Sequence, residues 1–161
     1  MSVVGSKEWR GILLHFFSKE IKVLIFDRVI VILSLFFYSL TILMKLFAEF
    51  LVLMVAIEHL YILYIEMFSW EKLGKKVFKW VLENDLFVKT KGLAKNQGLY
   101  NGFLAWGLLL GVMLGSDTLI YYCLWCVILA GCYGWWQSSR SIFFKQALPA
   151  MITLGLVLYS F

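Results

Sequence analysis

Long apolar runs alternate along this chain with short stretches rich in lysine. A helix crossing the ~30 Å hydrocarbon core of a bilayer needs about 20 mostly apolar residues. Five runs approach that length: residues 29–44, 46–68, 98–115, 118–137 and 142–161. The first is short and can borrow from residues 23–26. Only Lys45 separates it from the second, so the pattern predicts a tight turn there or a boundary placed elsewhere. The expected fold is all-α and membrane-embedded: a four-helix transmembrane bundle over 44–161, with an extra N-terminal transmembrane helix inside 1–43.

Between the second and third runs, residues 70–88 read as an amphipathic helix. Trp70, Leu73, Val77, Trp80 and Val81 recur at helical spacing, and Lys72, Lys75, Lys76 and Lys79 take the remaining positions. Such a helix can lie in the headgroup plane with its lysines on anionic lipid headgroups. It can equally be an ordinary connection whose lysines only enforce topology.

Composition agrees with lipid as the solvent. Of the 161 residues 62% are apolar and 16% charged, against roughly 45–50% and 25% in soluble domains. The lysines and arginines also give an orientation, because cytoplasmic segments collect them. Lys7, Arg10, Lys19, Lys22 and Arg28 precede the first run. Lys72, Lys75, Lys76, Lys79, Lys89, Lys91 and Lys95 follow the second, and Arg140 and Lys145 lie between the fourth and fifth. In a five-span arrangement all of these fall on one side, leaving Lys45 alone on the other. The expected product is a multi-pass protein of the cell membrane, N-terminus cytoplasmic and C-terminus outside. The net charge of +5 is thus a topology signal. No nucleic-acid partner is expected, since no soluble basic recognition element accompanies it. The first 28 residues mix acidic and basic groups and do not read as a cleaved signal peptide. Three cysteines in one apolar run exclude a secreted disulfide scaffold.

Polar groups inside the runs are the candidates for chemistry, because an ionisable group in hydrocarbon is costly and kept for a reason. At ~100° per residue, His59 and Glu66 lie within about 20° of each other on the helix wheel, and Glu58 about 80° from Glu66. With Tyr61 they form one broad polar face; Glu49 points to the opposite side. Glu66 lies near the end of its run and can snorkel to the interface, whereas Glu58 and His59 must face protein or a hydrated cavity. The third run opens with Asn96-Gln97-Gly98-Leu99-Tyr100-Asn101-Gly102. Gln97 and Asn101 share a face, and their amides are expected to reach the Glu58/His59 face. Gly98 with Gly102, and Gly107 with Gly111 and Gly115, are small-xxx-small ridges that permit close helix approach in lipid.

These residues also carry a resemblance. The stretches Glu58-His59-Leu60-Tyr61-Ile62-Leu63-Tyr64-Ile65-Glu66-Met67-Phe68 and Asn96-Gln97-Gly98-Leu99-Tyr100-Asn101-Gly102-Phe103-Leu104-Ala105 resemble the signature of a family of short bacterial membrane proteins, catalogued as domain of unknown function 1304. Gln146-Ala147-Leu148-Pro149-Ala150 is similar to its closing segment. The resemblance covers about 44–161 and implies a four-span bundle with no assigned activity. Residues 1–43 depart from the family pattern, as a genuine fifth span or through an upstream start codon chosen in error.

Other chemistries are weakly signalled. Cys123-Leu124-Trp125-Cys126 has redox spacing, but no second cysteine pair exists to relay electrons. Glu58, His59 and Glu66 lack the H-E-x-x-H or E-x-x-H spacing of helical metal sites, and no metal or cofactor is expected. Three functional classes remain. One is a small carrier, most naturally a homo-oligomer, in which Glu58 and His59 couple proton movement to solute passage. Another is an intramembrane enzyme with Glu58 or His59 as general acid/base on a lipid-like substrate, oriented by Gln97 and Asn101. The last is a structural or assembly subunit of a membrane complex.

Overall fold

The computed structural model describes residues 4–79 and 82–160, with side chains before Phe26 described only at His15, Ser18, Lys19, Ile21 and Leu24. Most of the described residues are helical, and none of them forms a strand. The long helices are α1 (Val4–Phe68), α2 (Lys91–Leu114), α3 (Asp117–Gln137) and α4 (Arg140–Ser160). Four stretches are long and apolar enough to cross a membrane: Phe26–Phe68 within α1, and each of α2, α3 and α4. The fold is therefore the expected all-α membrane bundle. Of the two alternatives at Lys45, a tight turn or a boundary placed elsewhere, the turn is absent, because helix is continuous there. Met44-Lys45-Leu46 are all good helix formers, and neither glycine nor proline is present to end the helix.

By its contacts the chain divides into two compact units, Met1–Leu43 and Met44–Phe161. In the first, every side chain from Phe26 to Leu43 is exposed. Its hydroxyls bond backwards to carbonyls of their own helix: Ser34 to Val31, Ser39 to Leu35 and Thr41 to Phe37. That arrangement removes free donors from a surface otherwise made of Ile, Leu, Val and Phe.

In the second unit a two-residue turn makes α2 and α3 antiparallel. Gly115 caps α2 in the left-handed region at φ 60°, and the Ser116 amide returns 2.8 Å to the Gly111 carbonyl, so the last carbonyls of the helix are satisfied. Gly107 meets the Cys123 side chain, and Gly111 meets Ile120. Gly115, expected on the same ridge, is spent on the turn. The main core joins Ala48, Val52, Val55 and Ala56 of α1 with Leu108 of α2, Ile120, Leu124, Val127 and Ile128 of α3, and Ala150, Leu154 and Val157 of α4. These positions occupy the half of the bundle away from the lysine-rich connection.

That connection is not the single helix expected over 70–88. A wide π-helical turn spans Trp70–Gly74, where the Ser69 carbonyl accepts from the amides of Lys72, Leu73 and Gly74. A short helix covers Lys75–Val77 and another Leu86–Lys89. The Glu83-Asn84-Asp85 sequence between them favours a turn over a helix interior. Trp80 and Val81 of the expected stripe lie outside the described residues, as do the side chains of Lys7, Arg10 and Lys22. The apolar side of the segment packs on protein. Ile65, Trp70, Phe87 and Ala94 form a second buried cluster, with Leu73, Val77, Phe78 and Leu82 against it. The indole of Trp70 donates to Thr90 Oγ1 at 3.2 Å, and that hydroxyl donates to the Leu86 carbonyl at 2.7 Å. Trp70 is therefore a core residue here, and its side of the expected stripe faces protein. Lys72, Lys76 and Lys79 remain exposed, and Lys75 is half-buried. Across this end Lys91 Nζ lies 2.6 Å from Glu71 Oε1. The hydrogen bond, and then the charge, of Lys91 holds the Glu71 carboxyl below its ordinary range.

Candidate functional site

The buried polar groups gather in the half of the bundle next to the lysine-rich connection, where close packing sets their register. A Cβ on Gly98 would meet the Met67 and Glu66 side chains at 2.8 and 3.0 Å, and one on Gly102 would strike Leu63. Antiparallel packing at this distance puts Asn101 level with Glu66. The Asn101 amide donates to Glu66 Oε2 at 2.8 Å and to the Gln97 carbonyl at 3.2 Å. Glu66 is 8% exposed and Asn101 5%. Glu66 thus does not snorkel; it is a buried carboxylate with an interhelical partner.

The expected meeting of Asn101 with Glu58 and His59 does not occur. Those two residues lie eight and seven positions before Glu66, which is ~10–12 Å further along α1. Their partners come from α4. His59 is fully buried, with Nδ1 2.9 Å from the Val55 carbonyl and Nε2 3.2 Å from the Gln146 side-chain amide. A carbonyl can only accept, so Nδ1 carries the proton and Nε2 accepts from Gln146. Both ring nitrogens are used within the protein.

Gln146 reaches His59 because of a local irregularity. Pro149 has no N–H to give the Lys145 carbonyl, and its ring would collide with that carbonyl in a regular helix. Residues Phe143–Ala147 form a wide π-helical turn instead, closed by the Leu148 amide on the Phe143 carbonyl. Such turns insert one residue into a helix and re-aim the side chains around it. Here the widened turn displays Lys145 and Gln146 towards α1. Its far side presses on α3, where a Cβ on Gly131 would lie 2.8 Å from both N and Cβ of Ala147.

Three cavities adjoin these groups. The first, of about 200 Å³, is lined by Glu58, Tyr61, Ser141, Lys145 and Gln146 among apolar neighbours. Lys145 is near enough for its charge to act on the Glu58 carboxylate. The second, of about 470 Å³, is an apolar groove between α1 and α4, bounded by Leu51, Met54, Leu148, Pro149 and Ile152, with Glu58 and Thr153 at its edge. The third, of about 350 Å³, holds Glu66, Gln97, Tyr100, Asn101, Tyr133 and Gln146. Glu58 is half-buried and borders the first two.

Of the residues singled out from sequence, Glu66, Gln97, Tyr100 and Asn101 come together, and Glu58 and Tyr61 share the neighbouring cavity. Asn96 is exposed and borders none of the three. Cys123 is buried against Gly107. Sequence reasoning missed Lys145, Gln146 and Tyr133 as site residues. The available signal was a lysine and an amide side by side three residues before the only proline of the chain.

Apart from Leu51, the residues around the three cavities lie within the region shared with known proteins. Over 105 residues the chain is 33% identical to the Uncharacterized protein YpaA of Lactococcus lactis subsp. lactis (strain IL1403), covering 63% of this chain and 88% of that protein. No solved structure matches. Residues 53–158, which include Glu58, His59, Glu66, Asn101, Lys145 and Gln146, match the sequence model of one family, and the chain belongs to that family, Protein of unknown function (DUF1304).

Proposed function

We propose that this is a multi-pass integral membrane protein that holds a lipid-like amphiphile between α1 and α4. The apolar part of the ligand lies in the Leu51–Ile152 groove, and its polar end meets Glu58 and Lys145. The observation that carries the reading is the position of Glu58, a half-buried carboxylate at the junction of an apolar groove and a cavity bearing Lys145, Ser141 and Gln146. The groove volume of about 470 Å³ falls in the roughly 300–1,000 Å³ range of small-molecule sites. Glu58 is the group placed to act on such a ligand, as acid, base or hydrogen-bond acceptor. His59 has no nitrogen to offer and serves to position Gln146.

A proton-coupled carrier is less well supported, because among the described residues the other half of the bundle core is largely apolar, and the buried hydroxyl of Thr153 there donates to the Pro149 carbonyl of its own helix. The lysine-rich connection is assigned to the cytoplasm by its charge, with exposed Lys72, Lys76 and Lys79 near anionic headgroups and the C-terminus outside.

The test is photo-crosslinking with a phospholipid carrying a diazirine in its acyl chain, in native membranes, followed by peptide mapping. Adducts should concentrate on groove residues and fall severalfold in Ile152→Trp, which fills the groove, while Glu58→Gln should weaken capture without loss of insertion. Adducts spread evenly over the outer faces of all four helices, unchanged in Ile152→Trp, would refute the reading.

A further inference from the structure

The third cavity carries a different chemistry. Among the described residues Glu66 is the only charged one that lines it, and no described lysine or arginine borders it. With it the cavity is lined by three aromatic residues, Phe78, Tyr100 and Tyr133, and three neutral amides, Gln97, Asn101 and Gln146. The rest of the wall is aliphatic.

We propose that this cavity is a binding site for a compact organic monocation, such as a quaternary or protonated amine. A carboxylate in a largely apolar surround attracts a cation far more strongly than it would in water. Aromatic faces favour the same sign of charge and favour weakly hydrated, alkylated cations over small inorganic ones. The cavity of about 350 Å³ takes a tetraalkylammonium ion but no large amphiphile. Asn101 holds Glu66 by Oε2, so the carboxylate is oriented before the ligand arrives and little ordering remains for binding to impose. Gln97 and Tyr100 are exposed at the mouth, next to the lysine-rich connection. The inference does not rest on the groove reading: Glu58 does not line this cavity, and its ligand differs in charge and size.

The experiment is isothermal titration of the purified full chain in neutral detergent at pH 8 with tetraethylammonium chloride, and with 3,3-diethylpentane as its uncharged isostere. Binding should be saturable for the cation only. Glu66→Gln keeps an acceptor for Asn101 and so keeps the fold, yet should weaken binding by about tenfold or more; Tyr133→Leu should weaken it by several-fold. Circular dichroism and thermal unfolding of each variant separate lost binding from lost folding. No saturable binding to a folded wild-type chain would overturn the proposal, as would equal binding of the isostere or an unaffected Glu66→Gln variant.

Discussion

Replacing Asn101 by leucine tests the central interhelical contact directly. Leucine matches asparagine roughly in size but offers no donor, so Glu66 Oε2 loses its 2.8 Å partner while remaining 8% exposed. Two magnitudes bound the loss. Hydrogen bonds between membrane helices average about 0.6 kcal/mol with a maximum near 1.7, whereas stranding a buried acceptor costs about 1–3 kcal/mol, more when it is charged. Glu66 also borders a cavity of about 350 Å³, large enough to admit water, which moves the expectation away from the upper end. A loss of about 1.5–2.5 kcal/mol is expected. Glu66→Gln, which keeps an acceptor, should cost under about 1 kcal/mol. Reversible unfolding in bicelles, followed by steric trapping, gives these values. The cycle of Asn101→Leu, Glu66→Ala and the double variant should show coupling of about 1 kcal/mol. If the two changes simply add, within about 0.3 kcal/mol, the contact is not the one that holds α1 to α2, and the register argued from Gly98 and Gly102 fails with it.

Two further outcomes follow from the packing and the electrostatics. Gly131→Ala places a methyl 2.8 Å from backbone nitrogen and Cβ of Ala147, so despite better helix propensity it should destabilise by about 1–3 kcal/mol. Gly155→Ala, with nothing within 4 Å, should instead stabilise by up to about 1 kcal/mol; equal effects in the same unfolding assay would show that α3 and α4 do not touch there. Glu71 has a depressed folded-state pKa, so its pairing with Lys91 stabilises the connection above the ordinary carboxylate value and is lost as pH falls through the lower folded value. Limited proteolysis between residues 69 and 90 should therefore accelerate at acid pH in the wild type. Glu71→Gln should be cleaved faster at neutral pH and lack the acid-dependent step; a shared pH profile would discount the pair.

What the sequence revealed, and what it hid, divides along physical lines. Helices were legible because hydrocarbon forces backbone groups to bond within each segment, which leaves twenty-residue apolar runs as a plain signature. Glu58, His59, Glu66 and Asn101 stood out because they are costly in such runs. Their pairing was not legible. Asn101 was expected opposite Glu58 and His59, but its level depends on where α1 and α2 approach closely, at Gly98 and Gly102. The wheel gives direction around a helix and nothing about relative depth between two helices. Between the two alternatives at Lys45 the sequence could not choose for another reason: a lone lysine between two apolar runs is a positive-charge signal without any backbone preference for a turn. The fate of Trp70 was hidden because an apolar stripe beside lysines looks the same whether it will face lipid or Phe87.

The widened turn at Phe143–Ala147 makes α4 a helix of two phases. Each residue advances a regular helix by about 100°, and the wide turn, closed by the Leu148 amide on the Phe143 carbonyl, absorbs one extra residue without that advance. Ala150, Thr153, Leu154 and Val157 point into the bundle because the extra residue is taken up upstream of them. Forcing the turn into regular helix at unchanged length would therefore do more than disturb Gln146. It would swing the whole distal stripe about a quarter-turn towards lipid, whereas removing one residue as the turn closed would leave the stripe facing inward.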